Sequence, residues 1–239
     1  GFILPIIELS LWALETNVDI FNNKFLVGSF NTITLGLFTG LICALLAIVI
    51  NFSIRFTKNK FLERLNSLMS IGYAIPGLIL AVGITRFLVF SDQNLFTNIN
   101  FVITGSLVGL FLAYIIKSYA LANSSIESGY ERISNSIDNS AQLLGSSGGK
   151  LLGRIHFPLM RTSFLTAVLL VTSEVVKELP ATLILRPFNF DTLAVITYTY
   201  AAEERMYQAA MPSLAIVIIG IIPIIFLTKM IRSSRIKDS

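Results

Sequence analysis

Long apolar runs separated by short polar intervals make up most of the chain. Crossing a bilayer takes about 20 apolar residues in a helix, and at that length the runs predict an all-α membrane protein. The first run, Gly1 to Leu14, falls short and reads as a truncated span, with Gly1 a cut point inside a longer chain. Further spans are expected at about Leu26–Ile50, Leu65–Phe90, Ile99–Leu121, Thr162–Leu185 and Ser213–Met230, six with the truncated one. The second is rich in Gly, Thr and Ala, small residues that let helix backbones approach closely. Ile75-Pro76-Gly77 interrupts the third, so a kink or unwound turn facing protein rather than lipid is expected there. The chain thus divides into a truncated span with an external loop (1–25), a transmembrane core (26–230) and a cytoplasmic tail (231–239).

Charge adds orientation. The intervals 51–64, 122–161 and 229–239 carry four Lys or Arg each, whereas 15–25, 91–98 and 186–212 carry one, none and two. Alternation of this kind places the first set, and both termini, on the cytoplasmic side. The net charge of +4 is therefore a matter of membrane orientation and not of nucleic-acid binding. With 54% hydrophobic residues, 13% charged and a mean hydropathy of +0.76, the composition agrees. A single cysteine, Cys43, excludes a disulfide framework, and a single histidine excludes multi-histidine metal sites. No Gly-x-x-x-x-Gly-Lys loop, His-Glu-x-x-His or Gly-x-Ser-x-Gly occurs, which argues against ATP binding in the P-loop manner and against a membrane protease or hydrolase.

Two stretches carry the candidate function. In 138–158, Ile137, Ala141 and Leu144 share one face of a short helix, with Leu143 beside them. Gly145 permits a tight turn, Leu151, Leu152 and Ile155 form a second apolar group, and Pro158 is suited to the first turn of the next helix. A short amphipathic helix between spans is shaped to dock into a groove on another protein. The spacing resembles the cytoplasmic coupling loop of ATP-binding-cassette (ABC) importer permeases: Glu-Ala-Ala, three residues, Gly, nine residues, Ile-x-Leu-Pro. Here Asn139, Ser140 and Ala141 fill the triplet, Gly145 the glycine, and Ile155 to Pro158 the end. The acid and first alanine are missing, Phe157 replaces Leu, and Asp138 carries a charge one position early.

The second stretch is 174–212. Three ionisable residues in one span, Glu174, Lys177 and Glu178, cost about 2.5–3.5 kcal/mol each near a helix centre, so this span should line an interior. Glu174 and Glu178 are four apart, on one face, and Lys177 can pair with Glu174; Pro180 then breaks the helix. Glu174–Lys177 is either a neutralised structural pair or part of a path, and Glu178, a hard oxygen donor, is the more suggestive carboxylate. His156 reads as an interface or surface residue, Arg86 and Lys117 as snorkelling side chains, and Tyr198, Tyr200 and Tyr207 as interfacial anchors. Lys177 to Phe188 and Phe190 to Ala194 closely resemble the Lys-Glu-Leu-Pro-Ala-Thr-Leu-x-Leu-Arg-Pro-Phe and Phe-Asp-Thr-Leu-Ala segments of ferric-iron importer permeases.

The resemblance, from the second span to the sixth, implies a six-span type I ABC importer transmembrane domain in a bacterial inner membrane, with a cytoplasmic coupling helix. It implies a transport subunit, not an enzyme, and no cofactor bound by this chain, ATP being used through a partner. The implied partners are ABC ATPase subunits inside, a periplasmic ferric-binding protein outside received by 186–212, and a second six-span half in the same polypeptide. Asn139, Ser140, Ala141, Gly145, Ile155 and Pro158 would couple to the ATPase, and Glu174, Lys177, Glu178 and Pro180 would lie at the path. A thiamine, phosphonate or other small-anion importer is the alternative within the class; a channel, secondary transporter or intramembrane enzyme stands outside it. The charge alternation gives a direct test of orientation. Cysteines at Lys58 and Ser147 should be labelled only from the cytoplasm and one at Asn94 only from outside; external labelling at Ser147 in sealed cells would reverse the orientation.

Overall fold

Residues 3–15, 22–94 and 102–237 are described by the computed structural model, with backbone alone at 227 and 230–237. Among them every regular element is a helix. Asn22 starts the longest, α2 (Asn23–Thr57), by accepting a hydrogen bond from the Phe25 N–H at 2.8 Å. It ends at Lys58, whose left-handed backbone turns its N–H back to the Ile54 carbonyl. Gly28, Thr32, Gly36, Gly40, Cys43, Ala44 and Ala47 form its buried stripe, while Phe30, Phe38, Leu41 and Leu45 point outward. That stripe faces α5 (Leu107–Glu131) and α8 (Phe157–Val176), and these three helices form the centre of the fold. The approach is close: a Cβ at Gly40 would lie 2.7 Å from the Val168 carbonyl oxygen, and Thr172 Oγ1 donates to the Gly36 carbonyl at 3.2 Å. Small residues on α2 do what their composition predicts.

The elements around this centre depart from the expected spans in instructive ways. The third span is two helices, α3 (Lys60–Ser70) and α4 (Gly77–Asn94), joined by a 3₁₀ turn at Ile71–Ala74. The break falls at Ile75-Pro76-Gly77 as expected, but the chain bends there by 117°, far more than a kink. The fourth helix begins at Leu107, not near Ile99, because Ser106 caps it through the Val108 N–H, and it runs on to Glu131. Its last third looked polar because Asn123, Ser124 and Ser125 lie there; yet Asn123 is buried and accepts from Asn51 Nδ2 of α2 at 2.7 Å. The fifth ends early, at Val176, and resumes as α9 (Pro180–Leu185). The loop assigned to 91–98, the start of the fourth span at Ile99 and most of the polar interval after Glu15 lie largely outside the described residues.

The candidate coupling segment, α6 (Asn135–Leu143) and α7 (Gly148–Leu151), precedes a π-helical turn at Leu152–His156 that leads directly into α8. Pro158 has no N–H to donate and its ring crowds the carbonyl four residues back; the widened turn just before it absorbs that misfit. On the other side, α10 (Leu193–Ala202) and α11 (Met206–Lys237) follow, and α1 (Ile3–Glu15) packs on α11. Among the described residues four helices are long and apolar enough to cross a membrane, or five if the bent α3–α4 pair counts as one. With 13 residues, α1 is shorter than the ~20 a crossing needs, as expected of a truncated span, and six crossing helices are not reached among the described residues. The chain is a multi-pass membrane protein.

Candidate functional site

The coupling segment is built from α6 outward. Its end is a Schellman turn: the Ser146 N–H reaches the Ala141 carbonyl and the Gly145 N–H the Gln142 carbonyl, both at 2.9 Å. Gly145 sits at φ +80°, a backbone that only glycine or asparagine adopts easily, and a Cβ there would meet open space. Just before the turn Leu143 and Leu144 stand 89% and 86% exposed, with Asn139 and Ser140 also outward. Ala141 does not share that face. It is buried with Asp138, Ile155 is half-buried, and Pro158 is exposed.

Asp138 points into the bundle. Arg55, near the end of α2, donates Nε to Asp138 Oδ2 at 2.7 Å and its two other nitrogens to the Tyr130 and Ile133 carbonyls at 3.0 and 2.7 Å. His156, expected at an interface or surface, is fully buried instead, its Nε2 2.9 Å from Asp138 Oδ1. The ring is not aligned for a full hydrogen bond, so Asp138 Oδ1 and both ring nitrogens go without one. Phe52, Phe56 and Tyr130 enclose the ring, with centroids 5.5, 5.9 and 5.6 Å away. The π turn delivers His156 to this place, one residue before α8 begins.

The second site lies where α8 breaks. Glu174 and Lys177 pair at 2.9 Å as their spacing predicts, but the Lys177 side chain is 60% exposed. Glu178 does not share a helical face with Glu174, because α8 has ended at Val176. It turns inward, 8% exposed, to pair with Lys117 of α5, and its Oε1 accepts from the Ala181 N–H at 3.3 Å. Thr182 Oγ1 donates to the Glu178 carbonyl at 2.7 Å and shares a hydrogen bond with the Tyr114 hydroxyl at 2.6 Å. Lys117, part-buried with 18% of its side chain exposed, is thus an interior partner and not a snorkelling cation. From the opposite side comes the other break: a Cβ at Gly77 would lie 2.7 Å from Glu178 Oε1 and 3.4 Å from Lys117 Nζ. Pro180 begins α9 at an exposed position. The two interrupted spans therefore meet at one ion pair. A charged residue near the middle of an apolar helix, as Lys117 is, signals an interior partner; that signal was available in the sequence and pointed to no particular residue.

On the far side, Arg186 pairs with Asp191 and closes the loop after α9, and Asn31 Nδ2 of α2 donates to the Asp191 carbonyl at 2.9 Å. Lys24 and Arg205 both lie over the Tyr200 ring, at 5.4 and 4.9 Å. Among the described residues no group of three or more His, Cys, Asp or Glu comes together as a metal site.

The fold of this chain is shared with the transmembrane domains of ABC transporters. The fold matches a bacterial alginate ABC transporter crystallised with an alginate-bound periplasmic protein, with a TM-score of 0.71 at 17% identity over 98% of this chain and 88% of that one. It also matches the inward-facing MetNI methionine ABC transporter, with a TM-score of 0.62 at 13% identity over 85% and 94%. In sequence the chain is similar to the Fe(3+)-transport system permease protein FbpB 2 of Haemophilus influenzae, 26% identical over 238 residues, 95% of this chain and 44% of that protein. It is similar as well to the putative 2-aminoethylphosphonate transport system permease protein PhnV of Salmonella typhimurium, 26% identical over 190 residues, 80% and 68%. The chain spans less than half the length of FbpB 2. No protein-family model matches it. These relatives are transport permeases and not enzymes, in keeping with the resemblance carried by the two motifs.

The geometry makes the two lysines unequal in their contribution to stability. Lys117→Met leaves the Glu178 carboxylate buried and unpaired, a loss of about 3–5 kcal/mol, whereas Lys177→Met removes an exposed pair worth under about 1 kcal/mol. Thermal unfolding of the detergent-purified protein should show a large loss for the first, partly recovered by adding Glu178→Gln, and almost none for the second. Gly145 gives a second test. Gly145→Asn should keep the turn, and Gly145→Val should break it by backbone strain of about 1–3 kcal/mol, without affecting membrane insertion; ATPase pull-down should separate the two.

Proposed function

We propose that the chain is the membrane-spanning half of an ATP-driven importer of the bacterial inner membrane, forming with a second such half the path for ferric iron. The observation that carries this reading is the similarity to an Fe(3+)-transport permease along nearly the whole chain. The exposed Leu143–Leu144 pair on a helix closed by a rigid turn supports a docking role toward an ATPase subunit. In this reading ATP is hydrolysed in that partner, and closure of two ATPase subunits moves the coupling helices and rocks the spans between inward- and outward-facing states. The external segment 186–212, tied to α2 through Asp191 and Asn31, receives a loaded periplasmic binding protein. The relative that this chain matches over less than half its length leaves room for the second half in the same polypeptide.

Glu174, Lys177, Glu178 and Pro180 keep their place at the path in this proposal, with distinct parts. Exposed Lys177 and half-exposed Glu174 are the groups a passing ion would meet, while buried Glu178 holds the break that shapes the path. Phosphonate is the second reading, favoured by the equal identity to PhnV. Vesicles containing the complete system decide between them. Uptake of radioactive ferric iron, dependent on internal ATP and on the binding protein, is the expected result; uptake of 2-aminoethylphosphonate alone would assign the anion.

A further inference from the structure

The helix that the proposed function needs to push is scarcely attached to the helices it must move. Of α6, only Asp138 and Ala141 are buried, and Ala141 offers no more than a methyl group. Its firm connection is therefore the Asp138 carboxylate. That carboxylate meets two different devices. Arg55 spends its whole guanidinium there: one nitrogen holds Asp138, and the other two hold the carbonyls of Tyr130 and Ile133, at the end of α5 and just beyond. A planar guanidinium has its donors in a fixed fork, so α2, α5 and α6 are held in one relative geometry. Behind Asp138 stands His156, fully buried and enclosed by Phe52, Phe56 and Tyr130, at the point where the π turn becomes α8.

We propose that Arg55, Asp138 and His156 form the joint through which displacement of the coupling helix reaches the membrane spans, with Arg55 the positioning residue. Arg55 is the tether: pulling α6 away draws on α2 and α5. His156, backed by rings, is the stop: pushing α6 inward bears on α8. Asp138 works toward the bundle, so it does not replace the missing acid of the coupling triplet at the ATPase face. The proposal rests on the reading of 138–158 as the ATPase socket, but the joint itself can be tested without it.

In the detergent-purified protein, spin labels at Thr57→Cys, the last residue of α2, and Leu143→Cys, exposed on α6, report the distance across the joint. Arg55→Gln should broaden that distribution markedly while leaving a label pair between α2 and α8 unchanged. Asp138→Asn, which keeps the bonds from Arg55 to both carbonyls, should broaden it too, and it substitutes should Arg55→Gln fail to fold. An unchanged distribution in a folded variant overturns the joint. In the complete transporter, the same variants should bind the ATPase normally while transport per ATP falls by about tenfold, within the range of a single lost coupling interaction. The double variant should be no worse than either single one. Full transport per ATP in the variants overturns the transmission role. Failure of the unmodified chain to bind an ATPase would instead overturn the socket reading.

Discussion

A helix broken inside an apolar layer exposes backbone groups that lipid cannot satisfy. This chain has two such breaks, at Ile75–Pro76 and at Lys177–Leu179, and the fold depends on placing them together. Glu178 is the hinge pin. Its Oε1 accepts from the Ala181 N–H at the restart of the helix, its other oxygen binds Lys117, and its own carbonyl is taken by Thr182. Gly77 is small enough to let α4 begin against this cluster. A buried ion pair is a poor source of net stability, since desolvation consumes most of what the charges gain. Here its value is geometric, because it fixes where two otherwise unrelated interruptions meet.

From that point the organisation runs along α5. Lys117 near its middle holds the breaks, and the carbonyls of Tyr130 and, just past its end, Ile133 hold Arg55. The helix therefore links the Glu178 cluster to α6 as one rod, packed closely on α2 and α8 through small residues. The two ion pairs do different things: Lys117–Glu178 locks spans to each other, and Arg55–Asp138 locks α6 to the spans. Such separation would let one part pivot while the other stays fixed, as the proposed rocking of the spans requires.

Much of this was legible in the sequence, and the misses share a cause. Apolar run lengths located α2, α8 and α11, and Pro76 and Pro180 marked both breaks, because proline acts through its own backbone. Gly145 was read correctly as a tight turn for the same local reason. Glu174–Lys177 followed from helical spacing. What the sequence did not disclose were pairings across long separations: Lys117 with Glu178, Arg55 with Asp138, and the burial of His156. The extent of α5 was missed because Asn123, in its polar last third, is buried against α2, and polarity was taken for exposure. A 117° turn at Pro76 was beyond reach, since proline says that a helix stops but not where the chain goes next.

The central claim is that the two breaks are pinned to each other. Gly77→Ala tests it from the α4 side, by pushing a methyl group to within 2.7 Å of Glu178 Oε1. Hydrogen exchange followed by mass spectrometry in this variant should show lost protection over residues 76–80 and, with it, over residues 177–182, about a hundred positions away. Loss confined to the segment around Gly77, with 177–182 protected as in the unmodified chain, would contradict the account.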